Sequence, residues 1–339
     1  MSKRKIDAST AELAAKFKGM HVLSTTQFDE TMLRFVFETA SAMKRMVAEK
    51  GKSDVLRGRI LANVFFEPST RTMCSFDAAM KRLGGDVISV AESTSSAKKG
   101  ETIEDTVRCL ECYCDVLVLR HPVVGTAAKA AAAMSKPLLN AGDGTGEHPT
   151  QALLDLFTVV SSHKRAQLPA GIESGVDLSA LTLTLLGDLK HGRTVHSLAK
   201  LAARLERPPK VALISPASLK MPPAICEELK SKGVDVTEGE SLAEAVTDAD
   251  VLYVTRVQKE RFETPEAYEA VKGQHVVDAA TMSHAKKDML LLHPLPRVDE
   301  IAVEVDADPR ATYFEQMENG MYVRMALLAL ACGADLSQL

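Results

Sequence analysis

What this sequence lacks excludes several classes of protein. Its longest apolar run, near residues 326–332, is too short to span a bilayer. The basic start, MSKRKIDAST, has no apolar stretch behind it, so it is not a secretory signal. The net charge is -4 and the Lys and Arg residues are scattered, which leaves no basic face for nucleic acid. We therefore expect neither a membrane nor a nucleic acid among its partners.

The six cysteines lack the spacing of a disulfide framework, which favours a reducing, cytoplasmic location. Cys109, Cys112 and Cys114 lie at one predicted helix end, and no second C-x2-C accompanies them, as a zinc site would need. We interpret these three as buried or half-buried structural thiols. His191 and His196 are five residues apart and do not share a helix face. We expect no metal, and no Ser-His-Asp order with a nucleophile elbow is present.

What the sequence does contain is a strand–helix alternation that runs twice. A chain of 339 residues is longer than one core usually serves. Helices are predicted over residues 10–18, 29–50 and 309–332. Strands are predicted at 60–66, 86–90, 116–119, 137–140, 181–186, 211–214, 234–237, 251–255, 276–279 and 290–292. This alternation predicts an α/β fold of two doubly wound parallel sheets. The predicted domains are residues 1–163, completed by helix 310–339, and residues 164–309.

The motif FFEPSTRT, residues 65–72, ends the first of these strands. Pro68 suits the first turn of a helix, whose body we predict over residues 73–83. Ser69, Thr70 and Thr72 bring hydroxyls, and Arg71 a forked cation, to the helix end where N–H groups lack partners. That combination is typical of a phosphate site. Taken alone, an ordinary capped helix with a surface arginine explains the motif equally well.

Polar residues also follow the other predicted strands of the first half. They include Ser95, Lys98 and Lys99, then Arg120 and His121, then His148, Pro149, Thr150 and Gln151. The carboxyl ends of parallel strands meet at one edge of a sheet, where ligands bind. Four polar strand ends at one edge favour the phosphate interpretation over the capped helix.

In the second half, Arg193, Arg256 and Arg297 follow predicted strands. Two guanidiniums beside one cleft suit a dicarboxylate, which each can grip in a bidentate manner. Salt-bridged surface arginines are the simpler alternative. Gly187-x4-Gly192-Arg193-Thr194 nearly matches a phosphate-binding P-loop, but Arg193 stands where that motif needs Lys. A P-loop ATPase therefore remains an open alternative.

These motifs together resemble the aspartate carbamoyltransferase family. The resemblance runs from about residue 17 to 334 and rests on FFEPSTRT, KKGET, RHP, GDGTGEHPTQALLDL, GDLKHGRTVHSL, YVTRVQKERF and HPLPR, in order. KKGET and a His-Pro-Leu-Pro without cysteine separate the chain from the ornithine type. Residues 164–178 look longer than in compact bacterial members, and His191 is often Tyr there.

The resemblance implies transfer of the carbamoyl group of carbamoyl phosphate to L-aspartate, an early step of pyrimidine biosynthesis. It also implies an active site in a cleft between the two domains, no cofactor, and a homotrimer whose Ser95 and Lys99 complete a neighbour's site. The implied catalytic residues are Arg71, Thr72, Lys99, Arg120 and His148. Carbamoyl phosphate would be bound by Ser69, Thr70, Arg71, Thr72, Ser95, Arg120, His148, Gln151 and the backbone of Leu295 and Pro296. Aspartate would be bound by Lys99, Arg193, Arg256, Gln258 and Leu295.

Two further alternatives stay open at this stage. A transcarbamoylase-like chain could be catalytically silent, although no implied site residue is missing from the sequence. It could also use a different amine. The start at MSKRK and the end at Leu339 are interpreted as those of a free-standing chain.

Overall fold

The computed structural model describes residues 8–92, 99–164 and 175–339. The chain divides into two compact units, Met1–Leu153 with Asn319–Leu339, and Leu154–Glu318. The domain limits at residues 163 and 309 stay a prediction of the sequence. None of the described helices is both long enough and apolar enough to cross a membrane.

The first unit contains a four-stranded parallel sheet. Its strands are β1 (Ile60–Phe65), β2 (Asp86–Ala91), β3 (Val116–His121) and β4 (Leu138–Asp143), in the order β2-β1-β3-β4. The two central strands are buried along almost their whole length because both of their faces are apolar. One core cluster packs Ala62, Val64, Leu117 and Leu119 against helix residues.

Helices connect these strands and precede them. They are α1 (Ala8–Phe17), α2 (Glu30–Lys50), α3 (Thr70–Arg82), α4 (Ile103–Glu111), α5 (Thr126–Ala132) and α6 (Pro149–Ser162). Asp29 caps α2 by accepting a hydrogen bond from the Met32 N–H at 2.7 Å. The division between the units falls within α6 and again within the last helix, α12 (Tyr313–Ala331).

The second unit contains a five-stranded parallel sheet. Its strands are β5 (Thr182–Leu186), β6 (Lys210–Ile214), β7 (Val236–Gly239), β8 (Val251–Val254) and β9 (Leu290–Leu292), in the order β7-β6-β5-β8-β9. Its helices are α7 (Arg193–Ala202), α8 (Pro223–Ser231), α9 (Leu242–Asp248), α10 (Pro265–Glu269) and α11 (Ala279–His284). The predicted α/β fold with two parallel sheets is confirmed.

The strand predicted over residues 276–279 is wrong. Val277 makes only an isolated bridge with Ile301. Asp278 accepts a hydrogen bond from the Thr281 N–H at 2.8 Å and caps α11, which begins at Ala279. An aspartate that can cap a helix offers the backbone an alternative to strand pairing, and here that alternative is realised.

Two smaller expectations are also corrected. The helix that follows β1 begins within the motif, at Thr70 with Ser69 as its N-cap, so Pro68 precedes the helix instead of entering its first turn. Cys109 and Cys112 are exposed, not buried. Helix α4 ends at Glu111, two residues after Cys109, so only the later Cys114 reaches the interior as the chain enters β3. Burial raises the pKa of the Cys114 thiol.

Candidate functional site

The motif FFEPSTRT connects the end of β1 to the first turn of α3. Asn63, buried within β1, donates a hydrogen bond from Nδ2 to the Met73 carbonyl oxygen at 3.1 Å. This bond ties the strand to the first turn of the helix. The Ser69 side chain makes no capping hydrogen bond, and Thr72 is buried. Hydroxyl-bearing residues and the first N–H groups of a helix therefore lie together at the carboxyl end of the strand, as an anion site requires.

Arg71 supplies the positive charge of this turn. Its side chain is exposed, yet neighbouring protein atoms displace enough water to lower the pKa of the guanidinium below its ordinary value. The arginine remains charged at neutral pH, because a guanidinium ordinarily loses its proton only in strongly basic solution. Partial desolvation of a cation strengthens its attraction to an incoming anion.

Arg120 lies at the end of β3, directly beside the end of β1. The strand register pairs Phe65 with Arg120, and the Phe66 N–H donates to the Arg120 carbonyl oxygen at 2.8 Å. The Arg120 guanidinium is 2.6 Å from a Glu67 carboxylate oxygen and donates to the Ala141 carbonyl oxygen at 3.1 Å. The side chain is buried, so this ion pair holds the guanidinium in one orientation. Sequence reasoning missed Glu67, although it lies inside the quoted motif.

The loop between β4 and α6 is held by two carboxylates that sequence reasoning also missed. Asp143 accepts hydrogen bonds from the N–H groups of Gly125, at 2.9 Å, and Glu147, at 3.0 Å. The Glu147 carboxylate in turn accepts from Thr25, through its N–H at 2.8 Å and its hydroxyl at 3.0 Å. These bonds fix the approach to α6, where the predicted residue His148 is buried immediately before the helix starts.

The first unit therefore brings together three of the four predicted strand ends. Strands β1, β3 and β4 are neighbours, and their carboxyl ends carry Ser69 to Thr72, Arg120, and His148 with the buried Gln151. Ser95 and Lys98 lie outside the described residues. Lys99 is described and exposed.

In the second unit, Arg193 and Arg256 follow neighbouring strands. Arg193 is the first residue of α7, after β5, and Arg256 comes two residues after β8. The Thr255 N–H donates to the Leu186 carbonyl oxygen at 2.8 Å, which keeps the two strand ends side by side. Both arginines are half-buried. The predicted pair of arginines thus follows two adjacent strands of one sheet.

Asp188, a residue that sequence reasoning did not select, joins the loop before α7 to Gln258. Its buried carboxylate accepts hydrogen bonds from the His191 N–H at 3.0 Å and from the Gln258 N–H at 3.4 Å. The His191 ring lies 3.1 Å from the same carboxylate. One buried acid therefore organises both the loop before α7 and the segment after β8.

The loop of residues 187–192 does not have the hydrogen bonding of a P-loop. In that motif, backbone N–H groups point at phosphates. Here several of them already donate to protein oxygens at 3.0 or 3.1 Å; they belong to Gly187, Leu189, His191 and Arg193. The loop turns the chain from β5 into α7, which begins at Arg193, and its hydrogen bonding weakens the ATPase alternative.

The HPLPR motif follows β9, the neighbour of β8. Leu295 and Pro296 form the turn after this strand, with Leu295 at a φ of 53°. Arg297, grouped above with the other strand-end cations, is instead paired with the Asp306 carboxylate and donates to the Tyr313 hydroxyl at 2.9 Å. Burial, together with the hydrogen bond to Asp306, raises the pKa of Tyr313 to about 12. Arg297 is thus part of the scaffold of this turn.

Comparison with known proteins agrees with this arrangement. The model of the aspartate/ornithine carbamoyltransferase carbamoyl-P binding domain matches residues 20–161, and that of the Asp/Orn binding domain matches residues 179–331. A chloroplastic aspartate carbamoyltransferase of Arabidopsis thaliana is 45% identical over 96% of this chain and 80% of its own length. The chain belongs to the aspartate/ornithine carbamoyltransferase family. The resemblance inferred from the motifs is confirmed.

Two further relatives differ from each other in how much of their own length this chain spans. The multifunctional protein pyr1-3 of Dictyostelium discoideum is 50% identical over 93% of the chain, but the chain spans only 14% of that protein. The crystal structure of aspartate transcarbamoylase from Trypanosoma cruzi in complex with carbamoyl phosphate has a TM-score of 0.86 and 43% identity. That alignment covers 94% of this chain and 98% of the other.

The described part of this family member contains no group of three or more His, Cys, Asp or Glu residues placed to hold a metal ion. The predicted substrate residues that the structure describes lie partly in the first unit and partly in the second. The first is rich in hydroxyls and helix N–H groups and suits a phosphate; the second carries two guanidiniums and suits carboxylates.

Proposed function

We propose that this chain catalyses aspartate carbamoyl transfer, in which carbamoyl phosphate and L-aspartate give N-carbamoyl-L-aspartate and phosphate. This reaction is an early step of pyrimidine biosynthesis. The observation that carries the choice of amine is the pair Arg193 and Arg256 after neighbouring strands β5 and β8. Two guanidiniums match the two carboxylates of aspartate, whereas the second cation of ornithine would be repelled. The solved relative bound to both carbamoyl phosphate and aspartate supports the same assignment.

In the proposed reaction, the aspartate amine attacks the carbamoyl carbon and the carbon–oxygen bond to phosphate breaks. Negative charge develops on the carbonyl oxygen, which Thr72, Arg120 and His148 would stabilise as preplaced donors. Ser69, Thr70 and Arg71 would hold the phosphate as it leaves. A phosphate oxygen would accept the amine proton. The remaining acceleration would come from holding both reactants in one geometry.

The proposal predicts which amine supports turnover. With carbamoyl phosphate and L-aspartate, the chain should release phosphate and form N-carbamoyl-L-aspartate, with a chelator present and no nucleotide added. L-ornithine should give a kcat/KM lower by at least about 10⁴-fold, because buried polar groups built for one ligand reject another that leaves them unpaired. Colorimetric detection of carbamoyl-amino acid measures both. Turnover with ornithine alone, or a need for ATP and Mg²⁺, would contradict the proposal.

The homotrimer with shared sites, inferred from the resemblance, predicts complementation between two inactive variants. Arg71→Ala and Lys99→Ala chains should each be nearly inactive. In a trimer that contains both, one site combines an intact Arg71 with an intact Lys99 from its neighbour. Equal mixing should then restore about a quarter of the wild-type activity, because about three quarters of random trimers are mixed and one site in three is whole.

The control for complementation is each variant dissociated and reassembled by itself, which should remain inactive. Mixing without any recovery, although mass spectrometry shows mixed trimers, would exclude shared sites. The cytoplasmic location stays a prediction.

A further inference from the structure

The turn after β9 has a backbone conformation that needs support. Leu295 has a φ of 53°, in the left-handed region that branched side chains rarely occupy. Its N–H donates a hydrogen bond to Nδ1 of His293 at 2.7 Å. The imidazole of His293 therefore clamps the turn through this hydrogen bond to the Leu295 N–H. In the proposed function this turn presents backbone groups of Leu295 and Pro296 to the nitrogens of the reaction.

The clamp works only if His293 carries its proton on Nε2. Because Nδ1 accepts from the Leu295 N–H, Nε2 must be the donor, and it lies 2.6 Å from a Glu300 oxygen. His293 and Glu300 are both buried. Burial by itself would raise the pKa of Glu300, but the hydrogen bond from His293, helped by backbone N–H groups, leaves that pKa below its ordinary value. Glu300 is thus a charged acceptor that selects one tautomer of the histidine.

The other oxygen of Glu300 is fixed as well. It accepts from the N–H groups of Val298 and Asp299, both at 3.1 Å. The carboxylate therefore has no freedom to rotate away from the imidazole. The segment that follows the turn and the histidine that precedes it are joined by one buried side chain.

The backbone of His293 is anchored to the sheet by a chain of buried hydrogen bonds. Its N–H donates to Gln316 Oε1 at 2.9 Å, and Gln316 donates from Nε2 to Asp155 at 2.6 Å. The other Asp155 oxygen accepts from the hydroxyl of Tyr253, a fully buried residue of β8, at 2.7 Å. The backbone that carries the imidazole is thus anchored to a rigid element, which a precise site requires.

We propose that His293 and Glu300 are positioning residues, in which Glu300 sets the tautomer of His293 and His293 thereby holds the Leu295–Pro296 turn in place for carbamoyl transfer. This inference rests on the proposed function for its consequence in catalysis. The structural half of the proposal, that Glu300 selects the tautomer of His293 and that His293 holds the turn, depends only on the hydrogen bonds.

Glu300→Gln tests the proposal with a change of one atom. The amide oxygen can still accept from the N–H groups of Val298 and Asp299, which leaves the NH₂ group facing His293. The histidine must then accept at Nε2 and carry its proton on Nδ1, so the Leu295 N–H loses its acceptor. We expect the ¹⁵N chemical shifts of His293 to exchange between the two ring nitrogens and kcat to fall by about tenfold to a hundredfold, with KM for aspartate little changed.

The matched control is Glu304→Gln, the same chemical change at an exposed residue whose carboxylate accepts only from the Ala279 N–H among the described contacts, at 3.3 Å. It should change neither the tautomer nor kcat. A Glu300→Gln chain with an exchanged tautomer and wild-type kcat would overturn the positioning role. An unchanged tautomer would overturn the selection by Glu300. If the proposed function itself were wrong, the wild-type chain would show no turnover, while the ¹⁵N shifts would still decide the structural half.

A second pair of variants keeps the test informative if Glu300→Gln folds poorly. His293→Asn offers a side-chain oxygen that can accept from the N–H two residues ahead, as asparagine does in turns. His293→Leu is of similar size and has no acceptor. We expect His293→Asn to retain at least about tenfold more kcat than His293→Leu. Equal kcat values in two folded variants would contradict the clamp.

Discussion

Replacing Arg71 by alanine is expected to lower kcat by about 10²- to 10³-fold while leaving the affinity for L-aspartate nearly unchanged. Arg71 is in the first turn of α3, which also contains Thr70 and Thr72 and follows the N-cap Ser69. In the proposed reaction it grips a phosphate that gains charge as it leaves, so its contribution is larger in the transition state than in the ground state. Steady-state kinetics with both substrates varied, and calorimetry with aspartate, measure the two quantities.

Two controls sharpen this prediction. Arg57→Ala removes an exposed arginine of the same unit that lies in the turn before β1, and should leave kcat unchanged. Arg71→Lys keeps the charge but loses the planar fork, so its kcat should fall between those of the wild type and Arg71→Ala. Wild-type turnover in Arg71→Ala would mean that the turn holds no leaving phosphate, and the assignment of FFEPSTRT would fail with it.

The sequence was sufficient to predict that polar strand ends would meet, because chain direction in a parallel sheet follows from strand–helix alternation. Arg193 and Arg256 could be grouped on that basis, and the structure places them after neighbouring strands. The order of the strands within each sheet could not be predicted from the sequence. Order depends on which apolar faces pack best across the whole unit, and no local pattern encodes it.

The residues that the sequence did not reveal share one property. Each makes its contact either with a residue distant in sequence or with a backbone group of another residue. Glu67 was visible within its motif, but its partner Arg120 lies 53 residues later. His293 was visible in HPLPR, but the acceptor role of its ring depends on how the turn folds back. A spacing pattern identifies residues that share a face of one helix or one strand. Glu67 and Arg120 belong to different segments, and His293 and Leu295 lie in a turn, so the pattern identifies neither contact.

Errors in local structure arose where two weak preferences compete. Residues 276–279 contain two valines that favour a strand and an aspartate that favours a helix cap. The cap prevails because α11 follows and packs against α9, while the strand finds only one bridge. Tertiary packing decides whether such a segment forms a strand or a helix cap, and the local sequence pattern does not contain that information.

Replacing Gly187 by alanine is expected to destabilise the second unit by about 3 kcal/mol or more. Gly187 has a φ of 112°, and an added Cβ would lie 2.2 Å from the Thr255 carbonyl oxygen. That oxygen is backbone, so the clash cannot be relieved by a side-chain rotation. Strain in the backbone and overpacking against Thr255, the residue that follows β8, therefore add. Urea unfolding followed by circular dichroism measures the loss.

Gly233→Ala separates these two causes. Gly233 also has a positive φ, 78°, but an added Cβ would find no atom within 4 Å, so only the conformational cost of about 1 kcal/mol applies. Equal losses of stability in the two variants would show that the close approach to Thr255 is not what requires glycine at residue 187.

The Gly187→Ala change should also affect the binding of aspartate. The loop that begins at Gly187 carries both Asp188 and Arg193, so any backbone shift that relieves the clash displaces the guanidinium from its neighbour Arg256. Aspartate binding by Gly187→Ala, measured below its unfolding temperature, should therefore weaken by at least about tenfold, whereas Gly233→Ala should bind aspartate as the wild type does.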